Sequence, residues 1–266
     1  ITTIKNPQKD FLYIISKCLY YTGMGNCWYE GENQTHRMKV LYAFWCITSH
    51  VFLVSVLIGM VACTFRTDLT LKEKNDALQF ASAHPSIYLK FVFFCFQRHR
   101  IRDLLKKLLE DTRSIYVCKS LEVSALKRST VFSIGVAAPS FFTVIAAYIE
   151  GILIHFRDGI PIRTEITYWP TKYDTSYLAD IVRIILHIHW IYLMFIMVMI
   201  DVVCLTCLII LRYKFKMLHK YFLELPNKFL NSDKSKTEKE KEMKKDVVKG
   251  IKLQTETLWG GWNRPL

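Results

Sequence analysis

Hydrophobic residues gather in four long blocks separated by charged stretches. The blocks cover residues 40–65, 77–96, 129–156 and 184–211. The first holds no Lys, Arg, Asp or Glu, and each of the others holds one such residue, namely Lys90, Glu150 and Asp201. Since a helix of about 20 residues crosses a hydrocarbon core about 30 Å thick, the pattern predicts an all-α, polytopic membrane helical bundle with four spans.

Two of these blocks carry amphipathic extensions. Beyond the second, Leu at 104, 105, 108 and 109 follows helical spacing, and no Pro or Gly falls between Phe96 and Glu110. We therefore predict that the second span continues as a helix. Beyond the fourth, an apolar stripe is expected to meet either a protein partner or the lipid interface. It comprises Leu208, Leu211, Phe215, Leu218 and Phe222.

The chain divides by composition into three regions. Residues 1–39 are predicted to be an N-terminal lead-in, residues 40–222 the four-span membrane domain, and residues 223–266 a further non-membrane segment. Within the last, residues 233–249 mix Lys with acidic residues and are predicted to form a solvated loop.

The net charge of +13 and the pI near 9.3 would suit a nucleic-acid-binding protein. The charges, however, alternate between the segments that flank the spans. Lys and Arg number 28 in one alternate set of segments and 6 in the other. This is the positive-inside pattern, so membrane lipid rather than nucleic acid is the expected partner. It places the N-terminus in the cytosol, which disfavours a G-protein-coupled receptor.

Polar residues inside spans are costly and tend to face protein or water. The predicted orientation brings several of them, with apolar neighbours, to one depth in the outer half of the membrane. We expect a mostly apolar pocket for a small molecule there. Its candidate residues are Phe80, His84, Tyr88, Tyr148, Ile152, His187 and Ile191. The alternative is structural: Glu150, Arg183 and the histidines lie among headgroups or pair to hold helices together.

Signatures of catalysis are not found in the sequence. The eight His are scattered rather than clustered as metal-binding boxes, and the sequence has no phosphate-binding Gly-rich loop, nucleophile elbow or H-E-x-x-H motif. We therefore expect neither an enzyme nor a bound cofactor or metal.

One outer segment carries a family resemblance. Residues 168–174, YWPTKYD, lead through Tyr177 into the fourth span, and Asp201 precedes the apolar stripe at its end. These features resemble the segment before and the end of the fourth span in insect odorant receptors. The cytosolic N-terminus and short outer loops are similar to that family too.

The resemblance implies seven spans, a small volatile odorant as ligand and a pocket among spans two, three, four and six. It also implies a cation channel in the plasma membrane, formed as a tetramer with a co-receptor subunit, with the last span lining the pore. Residues 258–266 resemble no family segment, and three spans would follow the fourth, so a truncated chain is expected. A gustatory receptor shares this architecture, and a four-span scaffold or transporter subunit is the alternative from another class.

Overall fold

The computed structural model describes residues 7–25, 35–162, 166–230 and 235–259, and the regular elements within them are helices. In chain order they are α1 (Pro7–Tyr21), α2 (His36–Cys63), α3 (Leu71–Phe96), α4 (Arg98–Lys106), α5 (Thr112–Ile115), α6 (Lys119–Asp158), α7 (Tyr177–Leu230) and α8 (Lys236–Trp259). A π-helical turn, Lys107–Asp111, lies between α4 and α5. The predicted all-α membrane fold is confirmed.

Three of the described helices are long and apolar enough to cross a membrane: α2, α6 and α7. They correspond to the first, third and fourth predicted spans. The helix of the second predicted span, α3, is long enough at 26 residues. It is not among the three, and it carries Lys72, Glu73, Lys74 and Asp76 near its start. Its membrane crossing stays a prediction.

A capping box begins α3. The Thr70 hydroxyl accepts from the Glu73 N–H at 3.3 Å, and the Glu73 carboxylate accepts from the Thr70 N–H at 3.0 Å. The predicted helical extension is present but interrupted once, because α3 ends at Phe96 and α4 begins after Gln97. The apolar face beyond the break is nevertheless buried, with Leu105 and Leu109 each 1% exposed.

The predicted solvated loop at residues 233–249 is wrong, because most of it forms α8. A second capping box explains the start of this helix. The Ser235 hydroxyl accepts from the Glu238 N–H at 3.4 Å, and the Glu238 carboxylate accepts from the Ser235 N–H at 3.3 Å. Lys and Glu are good helix formers, so a charged composition does not oppose a helix here.

The chain forms two compact units. The first comprises residues 1–15, 99–133 and 203–266. It buries an ion pair between Arg113 and Glu122, whose Nε and Oε1 lie 3.2 Å apart. Gln8 donates to the Glu122 carbonyl at 3.0 Å, and this bond ties α1 to α6. The stripe predicted after the fourth span is exposed in part, at Leu208, Phe215 and Phe222.

The second unit comprises residues 16–98 and 134–202. Its apolar core joins α2, α3 and α7 through Val56, Leu57, Met60 and Leu186. Against this core pack Phe52, Phe80, Tyr88 and Val182. We call these eight residues the core cluster. Most of the predicted ligand-binding residues lie on or beside helices that form it.

Candidate functional site

Three of the predicted site residues share one face of α3. Phe80, His84 and Tyr88 are spaced four residues apart, which places them on successive turns of the helix. The rings of Phe80 and His84 lie 5.2 Å apart. His84 is 3% exposed, and its Nδ1 lies 3.2 Å from Sδ of Met60 in α2. This face of α3 therefore packs on the core cluster.

Two histidines that were not among the predicted ligand residues belong to the same group. His50 of α2 brings its Nδ1 within 3.1 Å of the Tyr88 hydroxyl. His189 of α7 is fully buried, with its ring 5.4 Å from that of Phe52 and 6.4 Å from that of His84. Three imidazoles thus lie in or beside the apolar core of this unit.

The sequence contains a signal for the burial of His189. It continues the buried face of α7 formed by Leu186, Leu193 and Ile196, at spacings of three and four residues. His187 is two residues away and so lies on a nearly opposite face of the helix.

Tyr148 and His187 form a second group, between α6 and α7. Their rings lie 5.4 Å apart in an edge-to-face arrangement, and the Trp190 ring lies 6.0 Å from that of Tyr148. One turn further along each helix lie Ile152 and Ile191, which are 40% and 44% exposed. The seven predicted residues therefore form two groups. One lies on the side of α7 that faces α2 and α3, and the other lies on the side that faces α6.

A groove between α2 and α3 borders the first group. It has a volume of about 490 Å³. Its lining is apolar apart from the phenol of Tyr88. The lining residues are Val54, Leu57, Ile58, Val61, Ala62, Phe65, Pro85 and Tyr88. Of the seven predicted site residues, Tyr88 alone lines this groove.

Residues 166–176 tie the three helices of the core cluster together near one end, and we call this segment the strap. The Tyr168 N–H donates to the Gly59 carbonyl of α2 at 3.1 Å. Lys172 pairs with Glu73 of α3, with Nζ 3.3 Å from Oε2. Arg183 of α7 is 5% exposed and donates to the carbonyls of Thr171 and Asp174. The guanidinium of Arg183 therefore has a structural role.

Two carboxylates of this region are held ionised. The hydroxyl and N–H of Thr171 hydrogen-bond Asp174 at 2.7 and 2.6 Å and lower the pKa of its carboxyl. Burial alone would raise the pKa of Glu73, but hydrogen bonds from Thr70 and Lys172 outweigh it and lower that pKa. Groups with a depressed pKa stabilise the fold above the ordinary carboxyl pKa of about 4 and lose that effect as the pH falls.

Glu150 is the other acidic residue that the sequence singled out near this end. Its carboxylate lies 4.0 Å from Nζ of Lys72, with both side chains exposed. Among the described residues, no group of three or more His, Cys, Asp or Glu is arranged to hold a metal ion.

Comparison with known proteins gives one family. The family described as 7tm Odorant receptor matches residues 70–258, which include α3, α6 and α7. The match covers most of the chain, including the strap and all of α3 to α8 except Trp259. No curated protein matches this chain.

Proposed function

This chain belongs to the odorant receptor family, and from that premise we propose that it is a subunit of a ligand-gated cation channel. Its ligand is a small volatile molecule that binds in the outer half of the membrane helices. It assembles with a co-receptor subunit in the plasma membrane, with its N-terminus in the cytosol.

The observation that carries this proposal is the placement of hydrogen-bonding rings within an apolar helical unit. His187, Tyr148 and Trp190 form one such group, and His84 with Tyr88 lies in the other. Sites for small ligands combine mostly apolar walls with a few polar groups that fix the orientation of the ligand. This combination suits a molecule with a hydrocarbon body and one carbonyl or hydroxyl group.

The chemistry required of these residues is binding alone. An imidazole or a phenol can donate or accept one hydrogen bond from a ligand oxygen. In an apolar environment such a bond is stronger than in water, since water does not compete for it. The ligand shifts the channel only if it binds one conformation better than another.

The test is substitution of the partly exposed group in the full-length receptor, expressed with its co-receptor. We expect Tyr148→Ala and His187→Ala to raise the ligand concentration for half-maximal current about tenfold, which corresponds to about 1.4 kcal/mol. Tyr148→Phe keeps the ring and separates loss of the hydroxyl from loss of packing. Current recording with surface labelling measures sensitivity and expression separately.

The matched control is Ile188→Ala, because Ile188 lies beside His187 on the chain and is 57% exposed. It should leave sensitivity unchanged. Unchanged dose-response curves for alanine at His84, Tyr88, Tyr148 and His187 would contradict the proposed site and favour purely structural roles for all four.

A further inference from the structure

The groove between α2 and α3 opens on the exposed surface of the membrane helices. Several of its lining residues in α2 are exposed, among them Ile58 at 64% and Val61 at 43%. They belong to a helix that is apolar enough to cross a membrane. In a helix that crosses a bilayer, an exposed apolar lining of this kind faces hydrocarbon rather than water. The groove's volume of about 490 Å³ falls within the range of about 300–1,000 Å³ typical of small-molecule sites.

The same groove borders the first group of the candidate site, on the face of α3 that carries His84 and Tyr88. Leu57 and Tyr88 line the groove and also belong to the core cluster. The Tyr88 hydroxyl meets Nδ1 of His50 at 3.1 Å, and His84 lies one turn earlier on α3. Two side chains thus form the wall between the groove and the buried imidazoles.

The alternative route into this unit would pass between the strap and the helices. The strap bonds to α2 at Gly59, to α3 at Glu73 and to α7 at Arg183. Arg66, after the end of α2, also donates to the Tyr168 carbonyl at 3.1 Å. A ligand passing between the strap and these helices would have to break several hydrogen bonds and an ion pair. Parting Leu57 and Tyr88 in the groove breaks at most one hydrogen bond, between the Tyr88 hydroxyl and His50.

We propose that the ligand reaches the first group of the candidate site sideways out of the bilayer, through the groove between α2 and α3, with Leu57 and Tyr88 as the gate. This inference rests on the proposed function. The occupant of the groove is the ligand in transit, a small lipophilic molecule dissolved in the hydrocarbon. Partitioning into the bilayer is favourable for such a molecule, since it removes apolar surface from water, and raises its concentration at the mouth of the groove.

A route and a binding site respond differently to substitution. An added barrier on the route slows association and dissociation by the same factor, because the ligand leaves by the path it entered. The ratio of the two rates, which sets the affinity, is then unchanged. A substitution within the binding site changes that ratio, and in related complexes the change is mostly in dissociation.

The experiment fills the groove with Ala62→Phe in the full-length receptor and follows current onset and washout during rapid ligand exchange. We expect onset and washout to slow together, by roughly tenfold for each 1.4 kcal/mol added to the barrier, with the half-maximal concentration unchanged. The smaller change Ala62→Val should slow both rates less. The matched control is Ala43→Phe, since Ala43 is an exposed alanine of the same helix outside the groove, and it should change neither rate.

Three outcomes would overturn the route. The first is a raised half-maximal concentration with unchanged onset, which would make the groove part of the binding site. The second is unchanged kinetics with Ala62→Phe, as expected if a resident lipid chain occupies the groove. The third is faster onset with Lys172→Ala, which would place the route under the strap. Failure of the proposed function is separate, since it appears as unchanged sensitivity with alanine at His84, Tyr88, Tyr148 and His187.

Discussion

At the residue scale, polar side chains in the second unit are placed by specific partners. The imidazole of His84 turns Nδ1 toward the thioether sulfur of Met60, which can only accept a hydrogen bond. The guanidinium of Arg183 presents its planar donors to backbone carbonyls of the strap. A lysine at this position would offer a single ammonium and could not reproduce that fork.

Gly250 lies where α8 packs closely against α7. A Cβ at this position would lie 2.8 Å from ring atoms of Phe222 and 3.0 Å from Tyr221. We predict that Gly250→Val weakens the packing of α8, since overpacking costs about 1–3 kcal/mol. Limited proteolysis at the lysines of α8 should become faster.

The control is Gly135→Ala, because nothing lies within 4 Å of a Cβ built at Gly135 in α6. Replacing a helical glycine with alanine at an open position should stabilise the helix by up to about 1 kcal/mol. Equal cleavage rates for wild type and Gly250→Val would show that the rings move aside without loss of packing.

At the scale of elements, α7 organises the second unit by using two faces. One face, with Leu186 and His189, joins α2 and α3, and the other, with His187 and Trp190, meets α6. A helix that is apolar around much of its circumference can be packed on more than one side. Its two faces therefore divide the predicted site residues.

An ion pair joins α3 to α7 within the predicted spans. Nζ of Lys90 lies 3.4 Å from Oδ1 of Asp201. Because an unpaired charge at the centre of a membrane helix costs about 2.5–3.5 kcal/mol, we predict that Lys90→Asp or Asp201→Lys alone lowers surface expression. The double variant that exchanges the two charges should restore it.

Surface biotinylation measures this effect, and Lys74→Asp serves as the control, because Lys74 is an exposed residue at the start of the same helix. A double variant no better than the worse single variant would mean that the pair contributes no attraction. The two residues would then act separately, each through its own surroundings.

At the scale of the whole molecule, the two units differ in where they bury ionisable groups. Arg113, Glu122 and Lys214 are buried or nearly so in the first, whereas the core cluster of the second is apolar apart from the Tyr88 hydroxyl. The side-chain chemistry of the second unit suits a hydrocarbon environment.

Topology is testable through glycosylation. The segment Asn33-Gln34-Thr35 is a sequon, although Asn33 lies outside the described residues. Since the charge alternation places the N-terminus in the cytosol, endoglycosidase should leave the gel mobility of the wild-type protein unchanged. A mobility shift that Asn33→Gln abolishes would reverse the orientation.

The positive control for this test is Tyr173→Asn, which creates an Asn-Asp-Thr sequon in the strap. Tyr173 is 75% exposed, and on the predicted orientation it faces the lumen during synthesis. Its glycosylation should therefore produce an endoglycosidase-sensitive shift.

The fold class was predictable because long apolar runs favour helices that span a membrane, and a sequence shows such runs directly. Three of the four predicted blocks became helices suited to a membrane. The helix α8 was missed although its signal, Ser235 followed by Glu238, was present. The charged composition of that segment is typical of a solvated loop, whereas the capping pattern indicates a helix.

The sequence by itself determined the helical membrane architecture, the family and the identity of candidate polar residues, because each depends on local pattern. The tertiary structure decided how those residues are grouped. Residues at one predicted depth, such as His84 and His187, meet different neighbours, since helix rotation selects the face that each side chain occupies. The groove and the strap likewise depend on contacts between residues far apart in sequence, such as Leu57 with Tyr88 and Glu73 with Lys172, which no local pattern encodes.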